Sequence, residues 1–188
     1  INIAAHIYLS IQEVIAREID PTKSAVVTIG KFVGGEAANI IPEEVVMEGT
    51  IRSLDKEQGE FIFNRMKDIV ESTGKMFRGN AELIEIASAP PLKNDDKLVN
   101  EISGYLKDLV GEQSVILFKE GGMGSEDFAS YSYKVPSIYF MLGAGSKQEN
   151  PLYGAPMHNE KVVFNEDILA TGAAIHTYCA IKWLKNNK

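Results

Sequence analysis

The sequence predicts two mixed α/β modules in tandem. Residues 1–89 read as a split βαββαβ sandwich short of its first strand, and residues 90–188 as part of an α/β domain. Three observations carry this. Over residues 2–88 the apolar spacing alternates between the helical period and the strand period, in the order helix, strand, strand, helix, strand. Ala89-Pro90-Pro91 then stiffens the chain where the composition changes. Beyond it, helical stretches flank "VPSIYFMLGAG" (135–145), the nearly unbroken apolar run of a strand covered on both faces.

Each element has its own reason. Ile3, Ile7, Ile11, Val14 and Ile15 fall on one helical face of residues 2–18, and Asp20-Pro21 ends that helix, because the residue before proline avoids helical angles. The chain thus opens inside a helix at Ile1 rather than at a Met, which sets the expectation that sequence precedes it. "SAVVTIGKFV" (24–33) is β-branched and apolar, and Gly34-Gly35 breaks it. In "EVVMEGTIRS" (44–53), Val45, Met47 and Ile51 alternate with Glu48, Thr50 and Arg52, so one face is buried and one wet. Asp55, with Gln58 three places on, starts a helix whose inner stripe is Ile62, Met66, Ile69 and Thr73. "AELIEIAS" (81–88) reads as a third strand.

In the second module Asn94 is expected to cap a helix that Gly111 closes, and "SVILFKE" (114–120) to form a short strand. A glycine turn follows, then a short helix from Ser125, the apolar strand and a loop through His158. A last helix over about 165–186 is capped by Asn165, with Glu166 and Asp167 in its first turn.

Composition narrows the function classes. The chain has 188 residues, 45% hydrophobic and 24% charged, an ordinary globular balance. A net charge of -7 argues against a nucleic-acid partner, which needs a basic footprint. No apolar run approaches the roughly 18–20 residues that span a bilayer, so no membrane partner is expected. A single cysteine, Cys179, excludes an internal disulfide and suits a cytoplasmic location.

Three stretches could carry chemistry. "EGGMGSEDFASY" (120–131) lacks the Lys of a phosphate loop and the second Gly of a nucleophile elbow. It is either a well-capped strand-to-helix turn or a turn that presents Gly124, Ser125, Glu126 and Asp127 to a cleft. His158 lies in a loop after a buried strand, a usual place for a metal-binding imidazole and equally for a solvated one. His6 and His176 lie within helices and read as packing residues. In "GGEAANIIPEEVVMEGTIR" (34–52), Asn39 offers an amide donor and Arg52 a planar fork that matches a carboxylate; the plain alternative is a hairpin with a surface Arg.

Taken in this order the segments resemble one family, the metal-dependent aminoacylase, hippurate hydrolase and auxin-conjugate amidohydrolase group of peptidases. "REIDPTKSAVVTIGKFVGGEAANIIPEEVVMEGTIRS" is similar to its lid-domain signature, "GGMGSEDFASYSYKVPSIYFMLG" to its Glu-Asp-Phe segment with the strand after it, and "MHNEKVVFNEDIL" to its terminal metal-His segment. The likeness runs over nearly all 188 residues. It departs after His158, where the family has Ser-Pro and this chain has Asn159-Glu160.

The resemblance implies that 1–89 is an incomplete lid and dimerisation domain, and that 90–188 is the C-terminal part of an α/β metallopeptidase catalytic domain. It implies two divalent ions in the intact enzyme (zinc, manganese or cobalt) that polarise an amide carbonyl and supply hydroxide. His158 would be a metal ligand. Asn39 and Arg52 would bind the substrate carboxylate or the oxyanion, and Gly124, Ser125, Glu126 and Asp127 would shape the cleft wall. The substrate would be an N-acyl amino acid or a small peptide-like amide, and the lid would form a homodimer. The general base and the other ligands are expected before residue 1, so no catalytic residue is assigned within the chain, which is expected to be inactive and to bind metal poorly alone. The alternative is a non-catalytic dimerisation and ligand-binding module without metal.

Overall fold

The stripe Ile7, Ile11 and Val14 is buried along α1 (Asn2–Glu13) and the π-helical turn Val14–Glu18 that continues it. The helix ends at Ile19, which is extended, and the Asp20 carboxylate then accepts from the Thr22 N–H and hydroxyl. Strands β1 (Ala25–Val33) and β2 (Val46–Ser53) pair antiparallel. A bulge between Ile29 and Lys31 keeps the alternation in phase with the core. It sets Lys31 opposite Glu48, where the two side chains form an ion pair, and Phe32 edge-on to Tyr8 of α1.

The helix α2 (Lys56–Met76) begins where the Asp55 carboxylate accepts from the Gln58 N–H at 2.8 Å. The Gln58 side chain does not reach back to Asp55, as a simple capping box would have it. The Ser53 hydroxyl relays instead, donating to Gln58 and accepting from the Asp55 N–H. Ile62, Met66 and Val70 of α2 complete one core with Ile7, Ile11 and Val14, and Ala25, Val27, Ile29, Met47 and Ile51 of the sheet pack against it.

The computed structural model describes residues 1–118 and 121–188. They fall into two units: Ile1–Leu92 with Glu120–Ser130, and Lys93–Lys119 with Tyr131–Lys188. The first holds α1, α2 and the β1–β2 sheet. In the second, α3 (Asp96–Val110) and α5 (Ile168–Asn186) bury Ile102, Tyr105, Ile175 and Cys179 between them, with Ile138 and Phe140 packed alongside. A one-turn helix, α4 (Ala129–Ser132), follows the glycine turn.

Three expected strands lack a ladder among the described residues. Ala81 and Leu83 do pack on the first core, and 84–88 are all exposed, Ile84 and Ile86 at 66% and 89%, so alternation holds over 81–84 only and without a ladder partner. In a split βαββαβ sheet the last strand pairs with the first, and the described residues begin with α1. In 135–145, Ile138 and Phe140 face the second core while Met141 is 82% exposed, again alternation without a ladder. Of 114–120, Ser114 belongs to a 3-10 turn whose Glu112 carbonyl accepts from the Val115 N–H, 115–118 form no ladder among the described residues, and Lys119 and Glu120 lie outside the described residues.

Three helix starts also differ. Asp95, not Asn94, caps α3, accepting from the Lys97 and Leu98 N–H groups. The Asn94 side chain instead pairs with the Tyr139 backbone, donating to its carbonyl at 2.9 Å and accepting from its N–H at 2.7 Å. The short helix begins at Ala129 rather than Ser125. Asn165 accepts from the Asp167 N–H in a turn, and regular α5 starts at Ile168.

Candidate functional site

Arg52 stands on β2 opposite Val26, on the sheet face away from the helices, with Thr50 and Glu48 on the same side. It is half-buried, and no carboxylate pairs with it among the described residues. The only carboxylate on its strand face, Glu48, is engaged by Lys31. A guanidinium left with its fork unused is free to meet a carboxylate from outside the chain. Asn39 is exposed in the turn between β1 and β2, followed by Ile40 and Ile41 at 65% and 92% exposure. No hydrogen bond joins Asn39 to Arg52. A groove of about 640 Å³ in the same unit is lined by residues of the Ile15–Val26 stretch and by Met123; Asn39 and Arg52 do not line it.

Gly124, Ser125, Glu126 and Asp127 form an irregular turn ahead of α4. The side chain that accepts there is Glu126, from the Phe128 N–H at 3.3 Å, while its carbonyl accepts from Ala129. A Cβ on Gly122 or Gly124 would meet nothing within 4 Å among the described residues.

His158 is exposed and takes a left-handed backbone, φ +61°. Asn159, where the resemblance departs, opens a turn of its own: its side chain accepts from the Lys161 N–H and its carbonyl from Val162. His6 and His176 are both exposed; His6 stacks on Phe77 at 4.5 Å and His176 lies 5.4 Å from the Phe140 ring. Among the described residues no three His, Cys, Asp or Glu side chains come together as a metal needs. The described residues therefore do not fit a metal by themselves, and no step is derived through one.

Asn39, Arg52 and the Gly124–Asp127 turn thus belong to the first unit and His158 to the second. Sequence reasoning missed Tyr153, whose ring lies against Gly145; the signal was the long strandless stretch between the apolar run and the last helix.

Comparison with known proteins agrees with this architecture. The model of the peptidase family M20/M25/M40 matches residues 4–182. The chain is 32% identical to IAA-amino acid hydrolase ILR1-like 2 of Arabidopsis thaliana, over 97% of this chain and 41% of that protein. It is also 32% identical to the hippurate hydrolase of Campylobacter jejuni, over 97% of this chain and 46% of that protein. A Bacillus subtilis dinuclear metal binding peptidase from the M20 family has the same fold, with a TM-score of 0.74 at 24% identity, over 98% of this chain and 46% of that one. The chain spans less than half the length of these relatives. With the family model covering almost its whole length, the chain belongs to peptidase family M20/M25/M40.

Proposed function

We propose that this chain supplies the lid and the C-terminal part of the catalytic domain of a metal-dependent amidohydrolase that releases amino acids from N-acyl amino acids. The observation that carries the reading is Arg52, a half-buried guanidinium on the open sheet face with no carboxylate partner among the described residues. A planar fork of this kind suits the free carboxylate of an acylated amino acid. Asn39 would add a donor amide, and His158 one imidazole ligand to a site whose other ligands and general base lie outside the described residues. The names of two relatives, an IAA-amino acid hydrolase and a hippurate hydrolase, support the same bond type.

The reading includes a homodimer through the first unit, because the outer backbone edge of β1 has no partner among the described residues. The test is amino-acid release by the full-length protein from N-acetyl and N-benzoyl amino acids and from their carboxamide analogues, in the presence of zinc, manganese or cobalt. Release that favours free carboxylates is expected; no release from any of them overturns the reading. A second reading, a ligand-binding and dimerisation module without metal, is favoured by the lack of a three-ligand cluster among the described residues. Binding of N-acyl amino acids without turnover would select it.

A further inference from the structure

The loop that carries His158 is built as a closed body. The Asn165 N–H donates to the Ala144 carbonyl at 2.8 Å, so the two ends of the loop meet. Just inside, the Ser146 N–H donates to the Glu149 carboxylate at 2.9 Å, and the Glu149 and Asn150 N–H groups both donate to the Ser146 carbonyl. The Asn150 side chain accepts from the Leu152 N–H and opens the 3-10 turn Pro151–Gly154.

Two side chains occupy the space where a Cβ would stand. The Tyr153 ring lies on Gly145, whose Cβ would come within 2.4 Å of the ring, and Gly145 has φ +117°. The Lys147 stem lies on Gly154, whose Cβ would come within 1.9 Å of it. The loop then turns at His158, held at a positive φ that costs a residue with a side chain. The stretch between Ala144 and Asn165 is longer than an ordinary connection, and long loops with joined ends and their own packing are commonly used for function.

We propose that Tyr153 is a positioning residue for His158: its ring, seated on Gly145 beside the joined ends, holds the 3-10 turn Pro151–Gly154 against the start of the loop and so fixes the turn that exposes the imidazole. This rests on the reading of His158 as a site residue. The phenol hydroxyl is not needed for the contact, so Tyr153→Phe keeps it, whereas Tyr153→Ala removes the ring and Gly145→Ala displaces it.

Two measurements test this. NMR of the 188-residue chain reads the His158 imidazole and backbone resonances, and kinetics of the full-length protein on an N-acyl amino acid read kcat and KM separately. Tyr153→Phe should match wild type in both. Tyr153→Ala and Gly145→Ala should move the His158 resonances toward those of an unstructured peptide and lower kcat by about ten- to a hundredfold with little change in KM, since a small misplacement costs that much. Wild-type His158 resonances and kcat in Tyr153→Ala overturn the proposal. If Tyr153→Ala loses its folded circular-dichroism signal, Tyr153→Leu, which keeps apolar bulk without the ring, decides by the same criteria, because Gly145→Ala also strains the backbone at φ +117°; a Tyr153→Phe variant that behaves like Tyr153→Ala also overturns it. His158→Ala separates the two readings. Full kcat in that variant refutes the site assignment of His158, while the resonances still decide whether Tyr153 holds the loop.

Discussion

Arg52 and Asn94 are the two residues whose roles are easiest to overturn. Arg52→Lys keeps the charge and loses the fork. In the full-length protein it should lower kcat/KM for substrates with a free carboxylate by about ten- to a hundredfold, the equivalent of about 1.5–3 kcal/mol for one charge-assisted hydrogen bond. The loss should shrink for carboxamide analogues, and the melting temperature should hold. Equal losses on both substrates would move Arg52 to an oxyanion role, and a fall in melting temperature alone would make it a packing residue. Asn94 is different, because its side-chain amide copies one rung of a β-ladder against Tyr139. Asn94→Ala should destabilise the second unit by roughly 0.5–1.5 kcal/mol in urea melts, as both side-chain hydrogen bonds to the Tyr139 backbone are lost at a water-accessible site. Asn94→Asp should not rescue it, since a carboxylate would then face the Tyr139 carbonyl. An unchanged urea midpoint in both variants contradicts this. Local sequence could not separate Asn94 from Asp95 as the cap, because both types cap well and only the distant Tyr139 backbone distinguishes them.

At the level of elements, α3 and α5 are tied at one end by side chains. The Tyr105 hydroxyl donates to Glu101, and Asn186 and Asn187 donate to Tyr105 and Glu101 in turn. The hydrogen bond to Glu101, followed by burial, raises the Tyr105 phenol above its usual range. A group raised on folding stabilises below its unfolded value and loses that contribution as pH rises through the folded one. The tie should therefore hold at neutral pH and fail only in the alkaline range above the usual tyrosine value. Tyr105→Phe should lower thermal stability at pH 7 and show a smaller further loss between neutral and alkaline pH than wild type does. Parallel melting curves for the two proteins across that range would contradict it. Helices were legible because their signals are local: stripes at the helical period, Asp55 as a cap, proline after Asp20. The apolar patterns of 81–88 and 135–145 read as strands, the second covered on both faces, yet neither has a ladder among the described residues and Met141 is exposed, since a strand also needs a neighbour to bond with.

For the whole molecule, the first unit exposes a β1 edge with no partner among the described residues, together with Ile84 and Ile86. Such edges recruit partners, so sedimentation at rising concentration should show self-association of the chain. A monomer at every concentration would count against the lid assignment. Of the candidate site, motifs named residues but could not supply geometry. Arg52 was legible from strand alternation, whereas the closed loop under His158 was not, because its closure depends on Ala144 meeting Asn165. We propose that these residues serve a metal-dependent amidohydrolase and do not complete its chemistry alone. The most direct measurement compares amino-acid release from an N-acetyl or N-benzoyl amino acid by three proteins under excess zinc or manganese: the 188-residue chain, the full-length protein and its His158→Ala variant. The account predicts release by the full-length protein, strong loss in the variant and none above the metal-only blank from the chain. Release by the chain itself, lost on His158→Ala, would contradict it.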